Sequence, residues 1–150
     1  MTGAQFPLPV IDDIDTGGHW QAVLRREIAI RVCAGCGEVL HMPTAYCHAC
    51  GGWNTKWQVV APRGILYSWT TVYRQIHPAF AAPYTVVLVE LTDLPAARLV
   101  GHLPGEPDLV AGLEMMATFM DIGDMRVPVW RPAGWPPDAA GAERGQAGQP

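Results

Sequence analysis

Four cysteines, the only ones in the chain, lie in two closely spaced pairs. Each pair has the pattern Cys-x-x-Cys-Gly and ten residues separate the pairs, which gives Cys33, Cys36, Cys47 and Cys50. The glycine after each pair allows the backbone to bend so that its N–H groups face the sulfurs. Four thiolates complete a tetrahedral shell with no open position, the arrangement of a structural zinc site. The spacing therefore predicts one structural Zn²⁺ bound by these four residues.

Other chemistries are compatible with the same thiols. Iron in a rubredoxin-like site is the second choice of metal, and two disulfides or a thioredoxin-like redox pair are the alternatives without one. A redox motif needs only one of the two pairs. His41 and His48 could each replace a cysteine as ligand, but four regularly spaced thiols favour both histidines as bystanders. Metal ligation would contribute about 10–16 kcal/mol of apparent binding energy, so we expect the surrounding ribbon to depend on its metal.

Length and composition set the scale of the protein. The length of 150 residues is consistent with a small module stabilised by a bound metal plus one domain of about a hundred residues. The formal net charge is −4, and a single lysine, Lys56, accompanies nine arginines. The hydrophobic fraction of 49% with six tryptophans fits either a buried interface with another protein or a tryptophan-rich core.

Cysteine use and hydropathy indicate the compartment. Thiols kept free for metal are typical of a reducing environment, and the start of the chain at Met1–Ala4 lacks the features of a secretory signal. The longest apolar run, around Val86–Val89, is far below the roughly 18 residues that span a bilayer. We therefore expect a cytoplasmic protein that does not insert into membranes.

The sequence pattern predicts a mainly β protein: an N-terminal helix, a rubredoxin-like zinc ribbon and then a five-stranded OB-fold barrel. The expected boundaries are residues 1–27 for an arm and amphipathic helix, 28–60 for the ribbon, 61–131 for the barrel and 132–150 for a disordered tail. The tail is predicted because its Gly, Ala and Pro residues show no periodicity.

The predicted helix begins at Asp15 or Thr16 and runs to about Arg26. One side carries Trp20, Val23 and Leu24 at helical spacing. A helix this short is marginal alone, so its apolar side must pack on something. Packing on its own ribbon and docking on a partner are both open.

Alternating and apolar runs predict seven strands: Glu27–Val32, Trp53–Val60, Ile65–Tyr73, Tyr84–Leu91, Ala97–Leu103, Leu113–Met120 and Met125–Arg131. In the third of these, alternation places Ile65, Tyr67, Trp69, Thr71 and Tyr73 on one face. Tyr84–Leu91, apolar on both faces, is expected to be central, and Pro128 is expected to mark an edge strand. Pro104–Gly112 is expected to hold a short helical turn. Five barrel strands with a break between the third and fourth suit a Greek-key barrel of OB type.

The sequence shows no recognisable catalytic constellation. The metal claims every thiol, and the nucleophile elbow, the zinc-protease helix, the phosphate loop and the dinucleotide fingerprint are all missing. His19, His77 and His102 have no adjacent carboxylate in sequence, although Glu90 on an apolar strand could approach one in the fold. We therefore assign no catalytic residue.

A zinc ribbon beside an OB barrel also suggests nucleic-acid binding. Tyr67, Trp69 and Tyr73 could stack bases on the barrel. The acidic balance argues against this function, because phosphate neutralisation needs clustered Lys and Arg. Arginines such as Arg63 and Arg74 suffice for one small phosphorylated ligand, not for a nucleic-acid strand. We therefore predict no nucleic-acid partner.

The order of these features resembles one known family. The resemblance rests on the following motifs: the amphipathic helix, the two Cys-x-x-Cys-Gly knuckles with Met42-Pro43 between them, Arg63-Gly-Ile-Leu-Tyr-Ser-Trp-Thr70, Pro83-Tyr84 before Val86–Leu91, Gly101, and Gly112 before a strand. The chain is similar, over about Thr16–Arg131, to the acyl-CoA-associated proteins with a rubredoxin-like zinc ribbon and an OB-fold, domain of unknown function 35. It departs from their usual pattern at Thr44 and His48, on the ribbon surface.

The resemblance implies a non-catalytic subunit without activity alone. Its expected partner is a thiolase-superfamily enzyme (a thiolase, retro-aldolase or acyltransferase) acting on acyl-CoA, in settings such as steroid side-chain or lipid degradation. A hot-dog-type enoyl-CoA hydratase is the alternative partner. A hetero-oligomer is expected, and the barrel itself could contact acyl-CoA.

Overall fold

A computed structural model describes residues 6–136, which form one helix and seven strands. The elements are α1 (Gly17–Leu24), β1 (Ile28–Cys33), β2 (Thr55–Val60), β3 (Arg63–Val72), β4 (Tyr84–Leu91), β5 (Arg98–Pro104), β6 (Glu114–Ile122) and β7 (Met125–Pro132). In the part of the chain that the structure describes, no helix is long and apolar enough to cross a membrane.

The zinc ribbon is built on a two-stranded antiparallel sheet. β1 pairs with β2 from Ile28 opposite Val60 to Cys33 opposite Thr55. The first cysteine is thus the last residue of β1, and the chain folds back there to form an isolated bridge between Val32 and Val39. The cysteine-bearing loops therefore project from the end of the ribbon.

The other five strands form one antiparallel sheet of OB-fold type, in the order β5-β4-β3-β6-β7. β4 lies inside the sheet and β7, which contains Pro128, lies at its edge, so both positions agree with the sequence pattern. The two end strands approach each other. A Cβ added at Gly101 of β5 would come 2.9 Å from the Cβ of Trp130 on β7, so only glycine permits this closure.

A β-bulge changes the faces of β3. The register with β4 shifts between Leu66 and Ser68. Two residue steps along β3 therefore correspond to one residue step along β4. Trp69 consequently lies opposite the buried Val87, whereas Ile65 lies opposite Glu90. The prediction of one continuous face from Ile65 to Tyr73 is wrong, because the extra residue reverses the alternation.

Helix α1 packs on its own chain. Ala22 and Val23 are fully buried, and Trp20 packs partly buried against the main core. Thr16 occupies the N-cap position, but its side chain makes no cap; instead Asp13 Oδ1 accepts hydrogen bonds from the Thr16 N–H and hydroxyl at 2.7 and 3.0 Å. Of the two interpretations left open, the buried stripe supports packing within the chain.

One hydrophobic core joins the elements. Buried residues of α1, the base of the ribbon and the barrel share it, among them Val23, Ile28, Val60, Leu66 and Trp130. Cys33, Leu40 and Cys47 form a separate small cluster at the far end of the ribbon. The base of the ribbon is therefore held by the barrel, and its tip is not.

Two segments between and after the strands differ from expectation. Residues between β5 and β6 form no helical turn, because Pro104 and Pro107 restrict the backbone and Gly105 has a φ of +68°. Beyond β7, Ala133 donates a hydrogen bond to the Glu114 carbonyl at 2.8 Å and Trp135 packs against the core. The rest of the predicted tail, from residue 137, lies outside the described residues.

Candidate metal centre

Two knuckles of the same design present the four cysteines. In the first, Gly37 N–H donates to the Cys33 carbonyl at 3.0 Å; in the second, Gly51 N–H donates to the Cys47 carbonyl at 2.8 Å. Both glycines have positive φ, +80° and +72°. This is the left-handed conformation that closes a tight turn at little cost only for glycine. The glycine after each cysteine pair thus sets the turn, as its position in the sequence predicts.

The sulfur geometry fits a single metal ion. All four Sγ atoms lie within 4.8 Å of one another, and all four cysteines are free of disulfides. Cys33 Sγ lies 3.7 Å from Cys50 Sγ, and Cys36 Sγ lies 3.6 Å from Cys47 Sγ. A tetrahedral zinc with Zn–S bonds of about 2.3 Å separates its sulfurs by about 3.8 Å. The four cysteines are therefore positioned to bind one metal ion.

The backbone and the neighbouring sulfurs of the knuckles shift the pKa values of two of the thiols. The backbone N–H of Cys36 faces Cys33 Sγ at 3.5 Å and, as the main cause, lowers the pKa of Cys33 to about 6. For Cys36 the Glu38 backbone lowers the pKa, but hydrogen bonds with the Cys33, Cys47 and Cys50 sulfurs outweigh it and raise that pKa to about 12. Without a cation the cluster thus keeps some of its protons. Metal binding must release them, so affinity falls as the pH falls.

Both nearby histidines lie outside this cluster. His48 is exposed, with Nε2 3.6 Å from Glu38 Oε1. His41 is half-buried and lines a cleft of about 270 Å³ between α1, the ribbon and the barrel, together with His19. Within residues 6–136, the group positioned for a metal contains the four cysteines and neither histidine.

The remaining titratable candidates are occupied by other contacts. Glu90 is paired with an arginine: its Oε2 accepts from Arg98 Nε at 2.9 Å and pairs with the same guanidinium at 2.9 Å. His19 Nδ1 lies 2.9 Å from the Ala29 carbonyl. Burial lowers the pKa of His19, the Ala29 carbonyl opposes this shift, and His41 adds to it. His19 is thus a neutral structural residue at pH 7.

The exposed large apolar side chains include two groups, which we call the knuckle patch and the outer patch. The knuckle patch is Tyr46 and Trp53, whose rings lie 5.6 Å apart and which are 47% and 73% exposed. The outer patch is Ile65, Tyr67 and Val100 on the outside of the barrel, where Arg98 lies 3.6 Å over the Tyr67 ring. Surface aromatics of this kind are typical of interaction sites. The sequence left open whether α1 packs on its own chain or docks on a partner, and the knuckle patch was not predicted, although aromatics flank the second knuckle in the sequence.

Family models match both halves of the chain. The model described as "ChsH2, rubredoxin-like zinc ribbon domain" matches residues 20–54, and "ChsH2, C-terminal OB-fold domain" matches residues 57–120. The solved structure titled "Ltp2-ChsH2(DUF35) aldolase" contains a chain that is 30% identical, with a TM-score of 0.74; the alignment covers 83% of this chain and 99% of that one. The protein belongs to the ChsH2 family. This confirms the family, the zinc ribbon and the OB-fold that the sequence indicated.

Two more relatives of this ChsH2-family chain differ in what they cover. A "Probable enoyl-CoA hydratase alpha subunit" of Thermomonospora curvata is 34% identical over 130 residues, but the alignment covers 85% of this chain and only 40% of the relative. The chain thus spans about two fifths of that relative's length. A DUF35-family protein of unknown function from Sulfolobus solfataricus is 16% identical with a TM-score of 0.49, covering 69% of this chain and 75% of that one.

Proposed function

We propose that the chain is a non-catalytic, zinc-binding subunit that assembles with a thiolase-superfamily enzyme acting on acyl-CoA substrates. The observation that carries this proposal is the likeness to the ChsH2 chain of an Ltp2–ChsH2 aldolase, which extends over nearly all of that chain. The metal centre supports it, because four cysteines positioned to bind one ion leave no thiol for catalysis. Lipid or steroid side-chain degradation is the setting that we propose for the complex.

The exposed aromatics supply a docking surface for such an enzyme. Trp53 and Tyr67 project from different parts of one body, and neither belongs to the core of the chain. Exposed aromatic anchors dominate binding energy at protein interfaces, and removing one costs about 2 kcal/mol or more. Trp20, by contrast, packs against the core, so a charge at this position would damage the fold rather than a contact surface.

Reconstitution with the enzyme encoded beside this chain tests the proposal. The enzyme alone, this chain alone and the mixture are assayed for acyl-CoA turnover, and the mixture is analysed by gel filtration. We expect a stable complex whose activity exceeds that of either part. Turnover by this chain alone, or no complex with a thiolase-like enzyme, would refute the proposal.

Substitutions locate the surface. Trp53→Ala and Tyr67→Ala should each raise the dissociation constant of the complex at least about tenfold, while the melting temperature of the free chain stays unchanged. Gln58→Ala on β2 is the matched control, since Gln58 is exposed and polar. Equal affinities for all three variants would place the interface elsewhere.

A second candidate is an accessory subunit of an enoyl-CoA hydratase. The relative named as a hydratase alpha subunit favours it, because this chain aligns with 40% of that longer protein. The same reconstitution with a hydratase-like partner distinguishes the two. Enoyl-CoA hydration that depends on both proteins would favour the hydratase.

A further inference from the structure

Arg131 is a buried cation in the barrel. It follows Trp130 near the end of β7 and is only 9% exposed. A guanidinium keeps its charge when buried, whereas a carboxylate or an imidazole can lose its charge. The position therefore needs a compensating anion far more than an exposed arginine does.

The described part of the chain supplies no such anion. Arg131 Nη1 is buried and donates to no acceptor. The ion pairs found in residues 6–136 use other cations, such as Arg98 with Glu90 and Arg126 with Asp121. An unpaired buried charge costs several kcal/mol. This cost is unexplained unless something outside the described residues pairs with Arg131.

Arg131 also lines a groove of about 400 Å³ along the seam where β5 and β7 meet. Aliphatic side chains of β4 and β7, among them Val86 and Val127, line the groove. Rings line it as well: Phe80 lies 5.2 Å from His102, and His102 lies 5.2 Å from Tyr84 between ring centres. The volume falls in the range of about 300–1,000 Å³ that is usual for small-molecule sites.

We propose that this groove binds a small apolar carboxylic acid, with its carboxylate paired to the Arg131 guanidinium. The planar fork of arginine matches a carboxylate with two parallel hydrogen bonds, and these are strong where water is excluded. The apolar walls would take up the hydrocarbon part of the ligand. The site belongs to this chain alone and does not rest on the proposed assembly.

The surroundings favour a carboxylate over a phosphate. Among the described residues that line the groove, Arg131 is the one arginine and there is no lysine. One cation balances the single charge of a carboxylate. A phosphate would bring additional charged oxygens against aliphatic walls that offer them no hydrogen bonds.

Binding of decanoate to the full chain tests the site, with decanol as the neutral probe of equal chain length. Calorimetry and NMR shifts of groove methyls should show saturable decanoate binding at one site, weaker for decanol by about 10- to 100-fold. Arg131→Met should remove this preference. It should also raise the melting temperature of the ligand-free chain, because it deletes an unpaired buried charge.

Arg126→Met is the matched control for Arg131→Met. It removes another arginine of β7, one that is already paired with Asp121, so the decanoate preference should persist and the melting temperature should not rise.

A second pair of variants tests the position of the site. Val86→Trp should fill the groove and weaken the binding of both probes. Its matched control, Thr118→Trp, lies in a second depression that Arg131 also lines, and it should leave binding unchanged.

Three results would overturn the inference. The first is equal binding of decanoate and decanol, or no saturable binding of either probe. The second is unchanged decanoate affinity in Arg131→Met. The third is decanoate binding that appears only when Asp138 and Glu143 are replaced by Asn and Gln, because a carboxylate of the chain itself would then be the natural occupant.

Discussion

Replacing Cys47 by Ser should unfold the tip of the ribbon and leave its base and the barrel folded. Cys47 is fully buried beside Cys33 and Leu40, and these three residues are the whole of the small cluster at the tip. Ile28 and Val60 at the base instead belong to the main core. The boundary between the part that unfolds and the part that stays folded should therefore lie close to Cys33.

The magnitudes decide which part unfolds. A structural zinc contributes about 10–16 kcal/mol of apparent binding energy, whereas burial of one leucine such as Leu40 contributes about 1.5–3 kcal/mol. The small cluster cannot replace the metal, so loss of one ligand should disorder residues 34–54. The main core is untouched by the change, so the principal melting transition should shift little.

Hydrogen exchange and elemental analysis provide the assay. The unmodified chain should contain about one zinc per molecule, and Cys47→Ser should contain much less. Amides in residues 34–54 should lose protection, while those of β3 and β4 keep it. Ala49→Ser is the matched control, because Ala49 is exposed in the same knuckle and is not a ligand.

Two outcomes would refute this reasoning. Stoichiometric zinc in Cys47→Ser would show that the fourth thiolate is dispensable. Loss of protection throughout the barrel would show that tip and core unfold as one unit. Iron in the unmodified chain would instead overturn the choice of metal.

Four shorter predictions follow from other features. Gly37→Ala should lower the free energy of unfolding of the zinc-bound chain by about 1–2 kcal/mol in denaturant melts, because the φ of this residue is positive. Gly35→Ala is its control and should change the free energy of unfolding little, because the added Cβ would make a single ordinary contact at 3.7 Å. Because burial lowers the pKa of His19, the unfolded state binds its proton first, so stability should fall as the pH drops below about 6.5, and a His19→Gln variant should show a flatter pH dependence in melting curves. Truncation after Pro136 should leave melting unchanged, whereas Trp135→Ala should lower the melting temperature, since that ring packs on the core. Titration with single-stranded DNA and RNA at physiological salt should show no binding, and micromolar affinity that weakens steeply with salt would contradict this.

The metal centre and the strands were the most predictable features. The Cys-x-x-Cys-Gly spacing specifies both the ligands and the turn, because a left-handed residue is needed directly after each pair. β4 was predicted at its observed bounds from its nearly continuous apolar run, although only one of its faces is fully buried. Pro128 marked the edge strand through its missing N–H.

The features that sequence reasoning missed depend on contacts distant along the chain. The β3 bulge has no local signal, because Tyr67 alternates normally with its sequence neighbours and the extra residue appears only against β4. Arg131 is buried among residues distant along the chain, from β5 and from β6, whereas an arginine near the end of a strand is usually solvated. The partner of α1 was open because an amphipathic pattern shows that a face is buried, not what buries it.

The contact between α1 and β7 has a consequence for assembly. Arg126 of β7 donates to the Leu24 carbonyl at the end of α1, and Val23 of the helix belongs to the core that α1 shares with the ribbon base and the barrel. The base of the ribbon and the barrel, which carries the outer patch, are consequently held together through α1, whereas the knuckle patch lies on the tip, beyond this shared core. If both patches contact the proposed partner, binding of one patch holds the other at a high effective concentration near its own contact surface. Two weak contacts then give tight binding. Under the proposed function, loss of zinc would loosen only the knuckle patch, and the affinity for the partner would then fall without any change in the barrel.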